Sequence, residues 1–241
     1  QKIVLEVMDN LPSLHKEVLK KHLRRLSFLD NMPNTALTST VNPDDRFKVF
    51  DLTIRAAILQ QTVSEWLTEK EYTCFDTTDS NIRLQINAGG LNALQYVLLH
   101  EATHIVDGSQ TITPADRFYS DEVIPDTIIN HFIKGVWIKR TEIHPKYQDS
   151  LLNKIAFRRG GKKMPIKEAV TVYKKLSKTP FASLYSLSSW HEDLAEYTTI
   201  AHFTTELEQP FQIVVYQGNK KIYKYKPMKS KIVRGRLNTR T

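Results

Sequence analysis

Apolar residues recur every three or four positions along much of the chain, which is the spacing of helices that bury one face. The segment 11–29 has this pattern, with leucine or valine at positions 11, 14, 18, 19, 23 and 26 and with lysine and arginine between them. The same spacing predicts six more helices, at residues 50–69, 91–106, 124–137, 146–157, 166–176 and 189–205. The chain is therefore expected to be mostly helical.

Alternation of apolar and polar residues, the pattern of a half-buried strand, is confined to short segments. It is strictest at residues 82–87, where Ala-Gly-Gly at 88–90 ends it. Residues 213–216 and 222–225 flank the sequence Gln-Gly-Asn-Lys and predict a β-hairpin. The remaining predictions are a short strand at residues 3–7, a loop at 31–45 and a turn at 158–163.

The composition is that of a globular protein of ordinary size. The chain has 241 residues, of which 41% are hydrophobic and 25% are charged, close to the averages for folded domains. No apolar run approaches the ~18–20 residues of a membrane-spanning helix. We therefore expect one α+β domain over residues 1–241, with an N-terminal helical part, a small sheet and a basic C-terminal hairpin and tail.

The net charge of +8 is concentrated at the C-terminus. Residues 220–241 hold nine basic residues and no acid, whereas the other 219 residues hold 25 basic and 26 acidic residues. Such a segment can meet an anionic partner, such as nucleic acid or an acidic surface. It can equally be a solvated hairpin edge whose charges discourage aggregation, and we favour this second interpretation.

Two further features are the single cysteine, which does not settle the compartment, and the first residue of the chain. Cys74 is the single cysteine, so no disulfide can form within the chain, and we expect it to be a small buried side chain. The chain begins at Gln1 rather than at a methionine, which indicates processing or trimming, and any signal peptide would lie upstream. We expect an extracytoplasmic or secreted location.

The strongest chemical signal is an H-E-x-x-H pattern, formed by His100, Glu101 and His104 inside the apolar helix predicted at 91–106. Because four residues separate the histidines, both imidazoles lie on one helical face and can reach one metal ion. Glu101 can hold a metal-bound water without being a ligand itself. Two histidines and a glutamate are costly to bury without a partner, and a zinc ion removes that cost.

A catalytic zinc ion usually has three protein ligands and one open position. The extended pattern H-E-x-x-H-x-x-G-x-x-H is absent, because glycine stands at 108 rather than 107 and no histidine follows nearby. Glu192 and Glu196 are better candidates, since they share one face of a predicted helix. One carboxylate can bind the ion, and the other can accept the N–H of a ligating histidine. His191 points about 100° away from Glu192, so we do not expect it to bind the same ion.

These motifs resemble those of the zincin metallopeptidases, in the branch whose third ligand is glutamate, the gluzincins. The segment 185–196, with a tyrosine seven residues before Glu192 and an Ala-Glu pair after it, is similar to that of the anthrax lethal factor and Pro-Pro endopeptidase group. The resemblance covers the two motifs and implies the following roles: His100, His104 and Glu192 as zinc ligands, Glu101 as general base, Tyr185 at the transition state, Glu196 as outer-shell partner and Asp107 as a further acid near the ligands.

The resemblance also implies a zincin-like fold, in which an edge strand flanks the active-site helix and pairs with the substrate backbone. Residues 82–87 are the predicted edge strand, although an internal strand would have the same pattern. The predicted substrate-binding residues are Ile82, Leu84, Ile86, Asn87 and Ala88. The 88-residue step from His104 to Glu192 is longer than in compact members of the group, so we expect two or three inserted helices within residues 105–184.

The function implied is that of a zinc-dependent endopeptidase that binds one zinc ion and acts on a peptide or protein. Two alternatives stay open. The chain can be a zinc-stabilised binding module that has lost turnover, or it can bind nucleic acid or an anionic surface through residues 220–241. The neutral charge of the rest of the chain does not favour nucleic acid as the main partner.

Overall fold

The N-terminal part of the chain forms a three-stranded sheet as well as helices. The computed structural model describes residues 2–78, 80–114, 131–157 and 163–236. Two helices and three strands open the chain: α1 (Lys2–Asp9), α2 (Ser13–His22), β1 (Leu23–Leu29), β2 (Ala36–Thr40) and β3 (Phe50–Arg55). β3 lies in the middle, parallel to β1 and antiparallel to β2, so the strand order is β1-β3-β2.

This first sheet corrects several predictions. The predicted helix 11–29 ends at His22, and β2 lies inside the predicted loop 31–45. The predicted helix 50–69 begins as β3 and becomes α3 (Val63–Tyr72) only after a 3₁₀ turn. In β3, buried and half-buried residues alternate, which is a period of two that the helical spacing of the neighbouring residues obscured.

The prediction of a strand at residues 3–7 is also wrong, because these residues lie in α1. Val7 is buried, and Val4 and Met8 pack partly buried against the core. Val4, Val7 and Met8 have the spacing i, i+3 and i+4, so they lie on one side of a helix rather than on one face of a strand.

A second three-stranded sheet carries the predicted strand and hairpin. The remaining strands are β4 (Phe75–Asp76), β5 (Ile82–Asn87), β6 (Trp137–Lys139), β7 (Glu142–Ile143), β8 (Met164–Pro165), β9 (Gln212–Gln217) and β10 (Lys220–Tyr225). β10, β9 and β5 form an antiparallel sheet in that order. The strand predicted at 82–87 and the hairpin are therefore confirmed. The other four strands form two short pairs, β4 with β8 and β6 with β7.

The outer edge of β5 is covered by helix α3. Three hydroxyls on one face of α3, four residues apart, reach the strand: those of Ser64, Thr68 and Tyr72. The Tyr72 and Thr68 hydroxyls each accept a backbone N–H of β5 and donate to the carbonyl of the same residue, Leu84 and Ile86 respectively. The backbone groups that an edge strand normally leaves free are therefore already paired.

Two long helices cross the centre of the molecule. They are α4 (Ala93–Gln110) and α6 (Trp190–Thr205), and both are largely buried. Asn92 caps α4 by accepting the N–H of Leu94, and Ser189 caps α6 by accepting the N–H of Glu192. Two shorter helices are α5 (Ala169–Leu176) and α7 (Lys231–Arg234). The helices predicted at 91–106, 166–176 and 189–205 are thus confirmed.

The connection between α4 and α6 holds less helix than expected. The predicted helix 146–157 is wrong: 3₁₀ turns form at Pro145–Tyr147 and Leu152–Lys154. The carboxylate of Asp149 accepts the N–H groups of Leu151 and Leu152 and so favours a turn. The helix predicted at 124–137 does not form over its described part, because residues 131–136 are turns and Trp137 begins β6. Residues 124–130, and all but the last residue of the predicted turn 158–163, lie outside the described residues. Within the described part of this connection, α5 is the single α-helix.

Helix and strand enclose one hydrophobic core. Of the described residues 44% are helical and 22% lie in strands, so the expected mixture of helices with small sheets is confirmed, whereas the expectation of a mostly helical chain is not. Cys74 is a buried free thiol, as expected. Among the described residues, no helix has the length and hydropathy needed to span a bilayer.

Candidate metal centre

The three predicted ligands converge where α4 and α6 cross. Nε2 of His100 lies 3.0 Å from Oε2 of Glu192 and 3.2 Å from Nε2 of His104. Nε2 of His104 lies 3.5 Å from the same carboxylate oxygen. The helical spacing of the two histidines brings them to one face of α4, and the packing of α6 brings in Glu192 from 88 residues away.

These distances fit a tetrahedral metal ion. Metal–ligand bonds of about 2.0–2.1 Å at tetrahedral angles place neighbouring ligand atoms about 3.3 Å apart. The three separations, 3.0, 3.2 and 3.5 Å, bracket that value. The donor set of two imidazoles and one carboxylate is that of a catalytic zinc site, in which a fourth position stays open. This group of residues could therefore hold a metal ion.

Glu196 lies behind His100, one helical turn beyond Glu192. Its Oε1 faces Nδ1 of His100 at 3.2 Å, and its Oε2 accepts hydrogen bonds from Ser183 (2.6 Å) and Tyr96 (3.1 Å). Burial alone would raise the pKa of Glu196, but the Lys70 ammonium, His100 and Ser183 outweigh it and bring the pKa to about 2. The ionised carboxylate favours the His100 tautomer with hydrogen on Nδ1, which leaves Nε2 free to bind a metal.

The electrostatics of the centre favour a positive charge between the ligands. Burial by itself lowers the pKa of His100, yet the hydrogen bonds and charges of Glu192 and Glu196 raise it to about 9. The same carboxylate of Glu192 raises the pKa of His104 against the effect of burial. Without a metal ion, protons supply the positive charge that the carboxylates attract; a metal ion would displace them.

Glu101 follows the first ligand on α4 and turns towards the first sheet. Its Oε2 accepts a hydrogen bond of 2.6 Å from the hydroxyl of Thr38 in β2. The carboxylate is half-buried and does not belong to the group of three ligands. The Thr38 hydroxyl therefore fixes the position of a carboxylate that is free to interact with a water or a substrate.

Tyr185 stands at the entrance to α6, in the 3₁₀ turn Tyr185–Leu187. Its ring centre lies 5.9 Å from that of His100, and Phe157 packs against it nearly perpendicularly at 5.1 Å. Burial, together with the charges of nearby carboxylates including Glu192, raises the pKa of Tyr185 well above its ordinary value. Tyr185 is therefore a protonated hydrogen-bond donor at neutral pH and lies beside the three candidate metal ligands.

No protein-family model, curated protein or solved structure matches this chain. The case for a function therefore rests on the chemistry of these side chains and on their distances.

Asp107 lies one helical turn beyond His104 and is engaged elsewhere. Its carboxylate accepts hydrogen bonds from the backbone N–H and hydroxyl of Thr113, at 2.6 and 2.7 Å, and from Nδ1 of His191 at 2.7 Å. Burial alone would raise the pKa of Asp107, but these partners lower it below its ordinary value. The carboxylate thus ties the C-terminal turn of α4 to the first turn of α6. His191 contributes to this link and not to the ligand group, as its helical position predicts.

The predicted substrate-binding strand does not fit its expected role. Ile82, Leu84, Ile86, Asn87 and Ala88 lie in or next to β5, which is an edge strand of its sheet, but α3 occupies the outer edge. The strand that contacts the ligand-bearing helix is β2, through Thr38 and Glu101. Residues 82–87 are the predicted strand because they have the clearest alternation of apolar and polar residues. The strand beside the site is instead β2, whose short sequence Ala-Leu-Thr-Ser-Thr lacks that alternation.

The basic C-terminal segment is folded onto the body as far as the structure describes it. The lysines of β10 and α7 are exposed, whereas Arg236 is buried. Arg236 forms an ion pair with Asp193 and donates a 2.5 Å hydrogen bond to its carboxylate. It also donates a 2.7 Å hydrogen bond to the backbone carbonyl of Phe132. Asp193 directly follows Glu192, one of the three candidate ligands. Part of the unusual charge of the sequence is therefore structural.

Sequence reasoning missed four residues that surround the site: Lys70, Thr38, Ser183 and Tyr96. None lies in a motif, and each comes from a different part of the chain. Of these four residues, Thr38 alone lies in a segment whose composition indicates a strand, because a run of threonines and a leucine has strand propensity.

Proposed function

We propose that the protein is a zinc-dependent endopeptidase with a zincin-like active site. The observation that carries the proposal is the convergence of His100, His104 and Glu192, whose ligand atoms all lie within 4.8 Å of one another. The choice of zinc rests on the ligand set, because two imidazoles and a carboxylate with an open position are typical of catalytic zinc.

His100, His104 and Glu192 would hold a zinc ion, which would supply a Lewis acid and lower the pKa of a water molecule towards neutrality. Glu101, held by Thr38, accepts the proton of the attacking water and passes it to the leaving amine. The Tyr185 hydroxyl donates a hydrogen bond to the oxygen that becomes negative in the transition state. Glu196 keeps His100 in the tautomer that binds metal.

We further propose that an extended substrate pairs with the outer edge of β2. The carbonyl of Thr35 accepts the N–H of Arg55, and the N–H of Val41 donates to the carbonyl of Val49, so the odd-numbered positions on either side of β2 face β3. Since backbone direction alternates in an antiparallel pair, Ala36, Thr38 and Thr40 direct their N–H and C=O groups away from β3. In the described part of the chain no strand pairs with this side of β2. A peptide added there would run beside Glu101.

The alternative of a binding module without turnover is less well supported. A module that only holds zinc needs neither a carboxylate beside the ligands nor a tyrosine donor. Here Glu101 is positioned by a hydrogen bond, and Tyr185 lies next to His100. For binding of polyanions by the C-terminal segment, the exposed lysines are the sole support.

The test combines metal analysis with cleavage. The purified protein should hold one zinc ion per chain and should cleave members of a quenched-fluorescent peptide library, with activity lost on chelation and restored by zinc. Glu101→Gln should retain zinc but lose turnover, and N-methylation of alternate amides in the best-cleaved peptide should abolish its cleavage. A protein that binds zinc at full stoichiometry but cleaves no peptide would be the binding module. Cleavage that persists in Glu101→Gln would exclude Glu101 as the base.

A further inference from the structure

A lysine from helix α3 reaches the back of the metal centre. The ammonium of Lys70 lies 3.6 Å from the centre of the Tyr185 ring and 3.7 Å from Oε1 of Glu196. The Lys70 side chain is 20% exposed, and that of Glu196 is 2% exposed. Trp66 and Phe157 also lie near the ammonium, at 5.2 and 5.8 Å. Lys70 therefore touches one aromatic ring and one carboxylate of the site at once.

The contact with Tyr185 is a close cation–π interaction. An ammonium over the face of a tyrosine is attracted by the negative charge of the ring face, and the attraction is stronger where water is partly excluded. Tyr185 lies in a single 3₁₀ turn and lacks the support of a longer helix. Its ring is fixed by side chains instead: Phe157 packs at its edge, and Lys70 lies over its face.

The charge of Lys70 also suits the surroundings of the phenol. Glu192, Glu196 and Glu101 all act on Tyr185 with negative charge, and negative charge weakens a hydroxyl as a donor to a developing oxyanion. Lys70 supplies positive charge from the ring side. Its ion pair with Glu196 anchors the ammonium beneath the ring, because that carboxylate is itself held by Ser183 and Tyr96.

We propose that Lys70 is a positioning residue for Tyr185: it holds the ring over the metal centre so that the hydroxyl meets the transition state. This inference rests on the proposed peptidase function. It assigns Lys70 no contact with the substrate and no proton transfer.

The test is a double-mutant cycle on the best-cleaved quenched peptide from the library. Tyr185→Phe should lower kcat by about 10²–10³, as loss of an oxyanion donor does. Lys70→Met should lower kcat by about 10- to 100-fold with KM changed less than about threefold, because a misplaced group costs rate rather than binding. Lys70→Met in the Tyr185→Phe background should lower kcat by less than about twofold, and Lys70→Arg, which keeps the cation, should retain most of the rate.

Lys175→Met is the matched control. It removes another partly exposed lysine from an ion pair, the one with Asp149, and should leave kcat unchanged. An equal loss from Lys70→Met in both backgrounds would overturn the proposal, since Lys70 would then act through Glu196 or through general stability. Lys70→Gln serves as the neutral variant if the methionine variant does not fold.

A second cycle separates failure of this inference from failure of the proposed function. In urea unfolding, the combined effect of Lys70→Met and Tyr185→Leu on the unfolding equilibrium constant should differ from the product of their separate effects by about 2- to 30-fold. This is the range of a cation–π contact. No coupling would overturn the inference even if the protein cleaves peptides. Coupling in a protein that cleaves no peptide would leave the contact established and reject the peptidase function.

Discussion

Replacement of Arg236 by methionine should destabilise the fold strongly, although the residue belongs to a segment that looks like a solvated basic tail. Nη1 of Arg236 donates a 2.5 Å hydrogen bond to Asp193, whose side chain is fully buried, and Nη2 donates to the carbonyl of Phe132. The same Asp193 oxygen accepts the indole N–H of Trp137 at 2.9 Å. The variant would keep the aspartate and remove its cation.

The expected cost follows from the burial of this pair. Removing one member of a buried ion pair typically costs about 3–5 kcal/mol, because the other charge is left without compensation. Burial raises the pKa of Asp193 even though Arg236 opposes the rise, so the unpaired aspartate can take up a proton in the variant. Protonation limits the loss, and we expect about 3 kcal/mol at neutral pH. A domain of this size has a total stability of about 5–15 kcal/mol.

Urea unfolding followed by far-UV circular dichroism measures this loss. Asp193→Asn combined with Arg236→Met should recover most of the stability, because no charge is then buried. Arg234→Met, two residues earlier and exposed, should change the free energy of unfolding by less than about 0.5 kcal/mol. If Arg236→Met is as stable as this control, Arg236 is not a structural residue and the charge of the segment is available to a partner.

The ligands, a second buried carboxylate and strand β2 give three further tests. Glu192→Ala should lose zinc, whereas Glu196→Ala should weaken zinc binding by about 10- to 100-fold; metal titrations with the reverse order would exchange their roles. Burial raises the pKa of Glu71 to about 7, so the folded state binds more protons than the unfolded state between about pH 4.5 and 7 and loses up to about 3 kcal/mol as the pH rises through that range. Glu71→Gln should remove this loss, and equal free energies of unfolding of the unsubstituted protein at pH 5 and pH 8, measured by urea unfolding, would contradict it. Thr38→Val should lower kcat by about tenfold, because one hydrogen bond to the carboxylate of Glu101 is lost; an unchanged kcat would show that Thr38 does not position the base.

The sequence predicts the ligand group well because its members repeat at the period of a helix. His100 with His104, and Glu192 with Glu196, are each four residues apart, so secondary structure alone sets their faces. The meeting of the two pairs depends on the packing of α4 against α6, which the resemblance to zincins implied. Lys70 and Thr38 could not be found in this way, because each contributes a single side chain from a distant element.

The errors in the fold have a common physical cause. In residues 11–29 and 50–69 the leucine, isoleucine and phenylalanine positions satisfy the helical period over part of the segment and the strand period over the rest. The local sequence pattern does not show at which residue helix gives way to strand. Strand pairing in the first sheet, where β3 lies between β1 and β2, sets that residue. This pairing joins residues that are far apart in the sequence.

The sheet edges described above differ in their resistance to self-association. β5 is closed by the hydroxyls of α3, and β10 carries three exposed lysines that repel an approaching copy of the chain. Within the described part of the chain no strand pairs with the outer edge of β2, and none of the side chains of β2 is charged. A second molecule that adds a strand at β2 would cover the edge beside Glu101, so aggregation by this route would at the same time close the proposed active site.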